Sequence, residues 1–211
     1  MYQPPHHRED RLEVQHELIR LHPLGTLVTM TKSGLVANAL PFILDAARGA
    51  YGTLQAHLAR ANTQWRDFEP AVHALVIFQG PQRYITPSWY AVKQETGKVV
   101  PTWNYAVVQA SGPMRVVEDR DWLATQIAAL TNKLENGRTS PWAVTDAPPA
   151  FVEAQLKGIV GIEISIARIE GKWKVSQNRP EADRQGVVDG LLATADEQSL
   201  AMAELVRGRS K

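Results

Sequence analysis

Three stretches of the chain carry side chains that could do chemistry. The first is His57-Leu58-Ala59-Arg60-Ala61-Asn62-Thr63-Gln64-Trp65-Arg66. It reads as a helix beginning just after a strand. Backbone N–H groups at a helix start, joined by one or two arginines, suit an anion. Arg60 offers a planar fork that matches phosphate oxygens. A solvated helix with ordinary surface charges has the same composition, so the motif alone is weakly specific. The second stretch is an aromatic band of Tyr84, Trp89, Tyr90, Trp103 and Tyr105, dense for a chain that is 7% aromatic. Such rings stack on planar ligands, and they also build cores and dimer interfaces. The third is Lys172-Trp173-Lys174-Val175-Ser176-Gln177-Asn178-Arg179. Strand alternation puts Lys172, Lys174 and Ser176 on one side and Trp173 and Val175 on the other. That side is either a charged edge that blocks aggregation or an anion contact.

Other chemistries are poorly supported. The 211 residues contain no cysteine, which excludes disulfides, thiolate metal sites and thiol nucleophiles. Among the histidines, His6 and His7 fall in a start read as flexible, His16 and His22 on a first helix, and His73 in an apolar strand. None shows metal-ligand spacing with carboxylates, so no metal is expected. No G-x-S-x-G elbow occurs, and Ser88 lies between Pro87 and Trp89 without a nearby base. Lys plus Arg number 23 against 22 Asp plus Glu, a formal charge of +1. A charge that small gives no global field for non-specific DNA binding, though it leaves room for a local basic patch. No stretch approaches the ~20 apolar residues that span a bilayer, and the polar start lacks a signal-peptide core. The expectation is a cytoplasmic protein. At 44% apolar residues the chain is globular, and its length fits one domain.

The elements that must position these residues follow from pattern. Residues 8–21 read as a helix stopped at His22-Pro23. Strands are expected at 24–30, 35–44 and 50–54, joined by short polar turns. Residues 55–68 read as helical. Strand returns at 71–79 and 82–85, broken by Gly80-Pro81, and again over 106–117. Residues 99–105 read as irregular. Asp119 can cap a helix running through Asn136, and a short helix starts at Pro149. A strong strand is expected at 158–169, a turn at Gly171-Lys172, and two helices between 183 and 206. Strand spacing this short suits a β-barrel decorated by helices better than a doubly wound parallel sheet.

Several blocks together resemble the PaiB-type, FMN-binding negative transcriptional regulator family. They are Met1-Tyr2-Gln3-Pro4, HLARANTQW at 57–65, FQGPQRYITPSWY at 78–90, GKVVPTWNYAVV at 97–108, QLKGIVGIEI at 155–164 and KVSQNRPEADRQGV at 174–187. The resemblance implies a mainly β chain with added helices (α+β), a split β-barrel of the FMN-binding type. It implies one domain over 1–211, with an N-terminal helix and C-terminal helices from about 180. It also implies a homodimer with FMN in the groove between subunits.

Carried onto this chain, the resemblance makes Arg60 and Asn62 phosphate contacts, with His57 and Ala59 lining the site. Asn38, Ala39 and Leu40 would present backbone groups to the isoalloxazine ring. Trp103, Asn104 and Gln109 would approach from the barrel and act across the dimer, and Lys174, Gln177 and Arg179 would come from the late segment. The chain departs from the family pattern at three positions: Thr63 replaces a frequent proline, and Ala39 and Gln109 stand where histidines are expected. The family name implies transcriptional repression, and thus DNA as a partner. The sequence shows no basic recognition helix, only a C-terminal run of Arg207, Arg209 and Lys211. The alternative function is an FMN-dependent oxidoreductase or flavin reductase, with the flavin supplying the redox chemistry.

Overall fold

The computed structural model describes residues 1–209, so Lys211 of the basic run lies outside the described residues. Among these residues are ten strands and seven α-helices, a mixed α+β chain. In chain order they are β1 (Arg8–Glu9), α1 (Leu12–Leu21), β2 (Leu24–Thr31), β3 (Gly34–Pro41), β4 (Ile43–Asp45) and β5 (Thr53–Ala59). Then come α2 (Gln64–Asp67), β6 (Ala74–Ile85), α3 (Val92–Thr96), β7 (Thr102–Gly112), β8 (Met114–Val117) and α4 (Arg120–Glu135). Last are α5 (Pro149–Lys157), β9 (Ile159–Ser165), β10 (Arg168–Lys174), α6 (Glu181–Thr194) and α7 (Glu197–Arg207). The chain divides into two compact units. Unit 1 holds Met1–Leu18, Gln79–Val108 and the chain from Glu170; unit 2 holds Ile19–Phe78 and Gln109–Ile169.

Unit 2 contains an antiparallel sheet in the order β4-β5-β9-β8, and β2 paired with both β3 and the first half of β6. Alternation is clean on β2: Gly25, Leu27, Thr29 and Thr31 are buried, while Leu24, Thr26 and Met30 are exposed. The core gathers Leu27, Phe42, Leu54, Val76, Phe78, Ile162 and Ile164, all fully buried. Helix α4 starts where the sequence places it, with the Asp119 carboxylate accepting from the Trp122 N–H at 2.7 Å. It lies on the outer face of β5 and β9. There Gly161 makes room for the Trp122 ring, which a Cβ would approach to 2.2 Å, so a larger residue would push the ring aside.

Unit 1 orders its strands β1-β10-β7-β6 and adds α6 and α7. The two helices meet as a hairpin around a break at 195–196, as the sequence predicts. Gln3, in the first block of the resemblance, donates to the Gly171 carbonyl at 2.7 Å and ties the start of the chain to β10.

Four expectations need correction. Residues 55–68 are not a helix: they are the end of β5, a turn, and the single-turn α2. Helix-forming Ala, Leu and Gln are frequent there, but Leu54, Ala56 and Leu58 alternate inward, and pairing with β4 and β9 overrides propensity. Gly80-Pro81 does not break β6; buried positions shift there from even to odd numbers, so the alternation slips while the strand continues. Strand β7 begins at Thr102, inside the stretch read as irregular. Strand β10 runs through Gly171-Lys172, and the turn before it falls at 166–167. No helix among the described residues is long and apolar enough to cross a membrane.

Candidate functional site

The expected site residues fall into two groups, one in each unit. In unit 2, β3 ends its sheet, and Ala39 on it faces outward while Asn38 and Leu40 face inward. The inward Asn38 amide donates to Gln64 Oε1 at 2.8 Å. Gln64 is itself buried and donates to Thr29 Oγ1 at 3.0 Å and to the Val36 carbonyl at 3.3 Å. Asn62 shapes the turn, its carboxamide oxygen accepting from the Gln64 N–H at 3.0 Å. The HLARANTQW block is thus a turn clipped onto β2 and β3 through a buried glutamine. His57 points to the outer face of β5, where its Nδ1 lies 2.7 Å from Gln126 Oε1.

Arg60 is braced. Its Nε donates to the Lys157 carbonyl and one Nη to the Ile159 carbonyl, both at 3.2 Å, and the other Nη meets the Glu118 carboxylate at 2.5 Å. The pair is solvent-exposed on both sides, so it is cheap to separate, worth about 0–1 kcal/mol. Gln109 lies half-buried on β7, in unit 2.

A further charged centre in unit 2 went unread in the sequence. Glu163 on β9 is 2% exposed. Its carboxylate accepts from Arg48 at 2.7 Å, Gln55 at 2.9 Å, Trp122 Nε1 at 3.2 Å, and Arg115. The Arg48 hydrogen bond first, then Gln55 and Arg115, hold its pKa down to about 2 against the desolvation of burial. The donors come from four separate segments, which is why no local motif announces them.

In unit 1 the structure brings Asn104, Lys174 and Arg179 to one cavity of about 70 Å³, lined also by His7, Tyr90, Thr102, Ser176 and Asn178. Lys174 Nζ donates to Thr102 Oγ1 and to the Trp103 carbonyl, the latter at 3.1 Å. Burial, with Lys172 and Arg179 nearby, lowers its pKa. The Arg179 guanidinium sits 4.5 Å over the Tyr90 ring. Asn104, 1% exposed, donates to Ser176 Oγ at 2.9 Å. Gln177 folds back, its amide oxygen accepting from the Val175 N–H at 2.8 Å. Trp103 is exposed, with its indole donating to Gln82 at 2.6 Å. His7, read as part of a flexible start, is buried, and His73, read in an apolar strand, is exposed just before β6. Burial first, then His6 and the two lysines, lower the His7 pKa to about 4, so its ring is neutral at pH 7.

The basic end is used internally: Arg207 pairs with Glu204 at 2.8 Å, and Arg209 pairs with buried Glu9 over the Trp173 ring.

Comparison with known proteins bears on both groups. A family model described as "Putative FMN-binding domain" matches residues 1–168. The protease synthase and sporulation protein PAI 2 of Bacillus subtilis is 34% identical, covering all of this chain and 99% of its own. The chain belongs to the PaiB-type FMN-binding family. That family reaches fungi: an uncharacterized protein of Emericella nidulans is 37% identical over all of this chain and 98% of its own. The FAD and heme binding protein of Mycobacterium smegmatis shares the fold, with a TM-score of 0.56 at 17% identity over 79% of this chain and 72% of its own. Family membership makes a flavin the expected cofactor, and the fit of this chain's residues to it is testable on unit 2.

Proposed function

We propose that the protein is an FMN-binding homodimer of split-barrel type, with the flavin held by unit 2. The family match carries this reading. The geometry of unit 2 supports it. On the outward face of β2 and β3, Leu24, Val28 and Met30 lie beside Leu35, Ala37 and Ala39. Leu24 and Leu35 are 64% and 70% exposed, an apolar face of the kind that interfaces cover. Small Ala37 and Ala39 leave room for a flat ring to approach β3. The flavin phosphate is proposed at the 59–62 turn, where Arg60 exchanges Glu118 for a dianion. Bound there, FMN would supply the redox or sensing chemistry, and this chain's residues would seat and orient it.

The regulatory output that the family name describes is proposed to run through the flavin-loaded dimer rather than through the basic end, whose arginines are paired within the chain. Titration of the purified protein with FMN, followed by quenching of flavin fluorescence, tests the cofactor. The expected result is saturable binding, with Arg60→Gln weaker by about tenfold, the loss of one charge-assisted contact. Absence of binding would end the flavin reading. Light scattering tests the dimer, and Leu24→Glu with Leu35→Glu is expected to give monomers.

A further inference from the structure

The cavity of unit 1 combines features that together describe a ligand. Lys174 and Arg179 both line it and no carboxylate does. Asp183, the acidic group whose field reaches Tyr90, accepts from the Val92 N–H through Oδ1, keeps Oδ2 buried without a partner, and does not line the cavity. Asn104 Oδ1 and His7 Nδ1 are buried without a well-formed hydrogen bond, the Gln177 side chain lying beside the His7 ring. The Tyr90 hydroxyl is buried without a well-formed hydrogen bond, with the Arg179 guanidinium beside it. Leaving such groups unpaired costs about 1–3 kcal/mol each, so a fold retains them where something else completes them. Ser176 adds backbone strain at the same place, with φ at +62°. Strain of this kind persists where the surroundings over-determine it, commonly at ligand sites.

The missing partner is an acceptor of hydrogen bonds that carries negative charge. Lys174 uses two of its three N–H groups on Thr102 and Trp103, leaving one. The Arg179 guanidinium sits over the Tyr90 ring, and no carboxylate lines the cavity beside it. Neutral His7 can carry its proton on Nδ1. The Asn104 amide can turn over, accept from the Ser176 hydroxyl and present its NH2 to the cavity. One oxyanion could therefore take hydrogen bonds from four sides. The volume suits a phosphate or carboxylate group, and not a whole nucleotide.

We propose that this cavity binds a small oxyanion, the phosphate or carboxylate group of a small-molecule ligand, at a site separate from the flavin. The inference rests on unit 1 alone and stands whether or not unit 2 holds FMN. Calorimetric titration of the full chain with inorganic phosphate and, separately, with acetate tests it, and the tighter of the two identifies the class. Arg179→Gln and Lys174→Gln, each shown folded by its melting curve, are expected to weaken binding about tenfold or more. Arg138→Gln, an exposed change in unit 2, should leave it unaltered. FMN affinity should be the same in all four proteins. Two results would overturn the proposal. One is no binding of either anion, or equal binding by the wild type and both pocket variants. The other is a parallel tenfold loss of FMN affinity in the pocket variants, which would make the cavity a flavin contact.

Discussion

Glu163 in unit 2 and the cavity in unit 1 are opposite cases of buried charge. Glu163 is an anion answered on every side, by two arginines, a glutamine and an indole. The cavity gathers cations and amide and hydroxyl groups around no anion, and leaves Asn104 and His7 with unpaired atoms. A complete network holds a fold together; an incomplete one costs the fold stability until something binds. The contrast separates a structural centre from a binding site where composition does not, since both are clusters of Arg or Lys among polar residues.

The largest expected effect breaks the complete side. Replacing both Arg48 and Arg115 with methionine leaves the buried carboxylate with two neutral donors. The loss should be about 3 kcal/mol in urea unfolding, at the low end for stranding a buried charge because both arginines reach solvent. A loss under about 1 kcal/mol would mean that the network is ornamental. The same centre predicts acid sensitivity. Its folded pKa, about 2, lies below the ordinary 4.5. As pH falls, the unfolded chain therefore takes up the proton first. Its contribution is complete above about 4.5 and is lost progressively as pH falls through about 2; Glu163→Gln should flatten that part of the profile.

Next in size is Gly186→Ala, which attacks the frame of the incomplete side. A Cβ there would come within 2.0 Å of the Trp89 carbonyl oxygen, so α6 and the 87–90 turn must part. Overpacking of this kind costs about 2 kcal/mol. Because Tyr90 follows directly in that turn, phosphate affinity should fall as well, whereas the Arg48/Arg115 change should leave it alone.

The two regions also differ in how far they could be read from sequence. The 172–179 stretch announced itself, because Lys174, Ser176 and Arg179 are close in sequence and reach one cavity. Asn104 joined the expected set only through the family resemblance, and His7 not at all: a histidine near the start looks mobile until Gln3 is seen tied to β10. Glu163 was invisible because its partners come from residues 48, 55, 115 and 122, a pairing set by strand register and by α4 crossing β9. Strands and helices with clear periodicity, such as β2 and α4, were legible. The 55–68 stretch was not, since its composition favours helix and only the neighbouring strands decide otherwise. Arg60 was legible as a charged residue of the turn. Its bracing by Glu118 was not, since a contact 58 residues away leaves no local trace.

A smaller effect concerns Lys174. Its pKa is lowered by burial, then by Lys172 and Arg179. A cation with a depressed folded pKa destabilises the fold at neutral pH. That cost fades as pH rises from the folded pKa toward the ordinary 10.5. Lys174→Met should therefore leave the ligand-free protein as stable or more stable, by up to about 1 kcal/mol. Its margin over the wild type should narrow at alkaline pH. That is the reverse of Glu163, where losing charge partners weakens the fold. A clear destabilisation at pH 7 would mean that the bonds to Thr102 and Trp103 outweigh the buried charge.

The smallest effect separates strain from hydrogen bonding at Ser176. Its left-handed backbone suits glycine, so Ser176→Gly relieves about 1 kcal/mol of strain. It also removes the hydroxyl that accepts from Asn104, a loss of similar size. The net change should be close to zero. Ser176→Ala keeps the strain and still loses the hydroxyl, so it should destabilise by about 1 kcal/mol. A gap between the two variants with the glycine form more stable places the strain in the backbone; equal melting curves would remove strain from the account. Both variants free the Asn104 amide, so neither should abolish phosphate binding. Retained affinity in the glycine form would show that the cations and Asn104 hold the anion without help from the Ser176 hydroxyl.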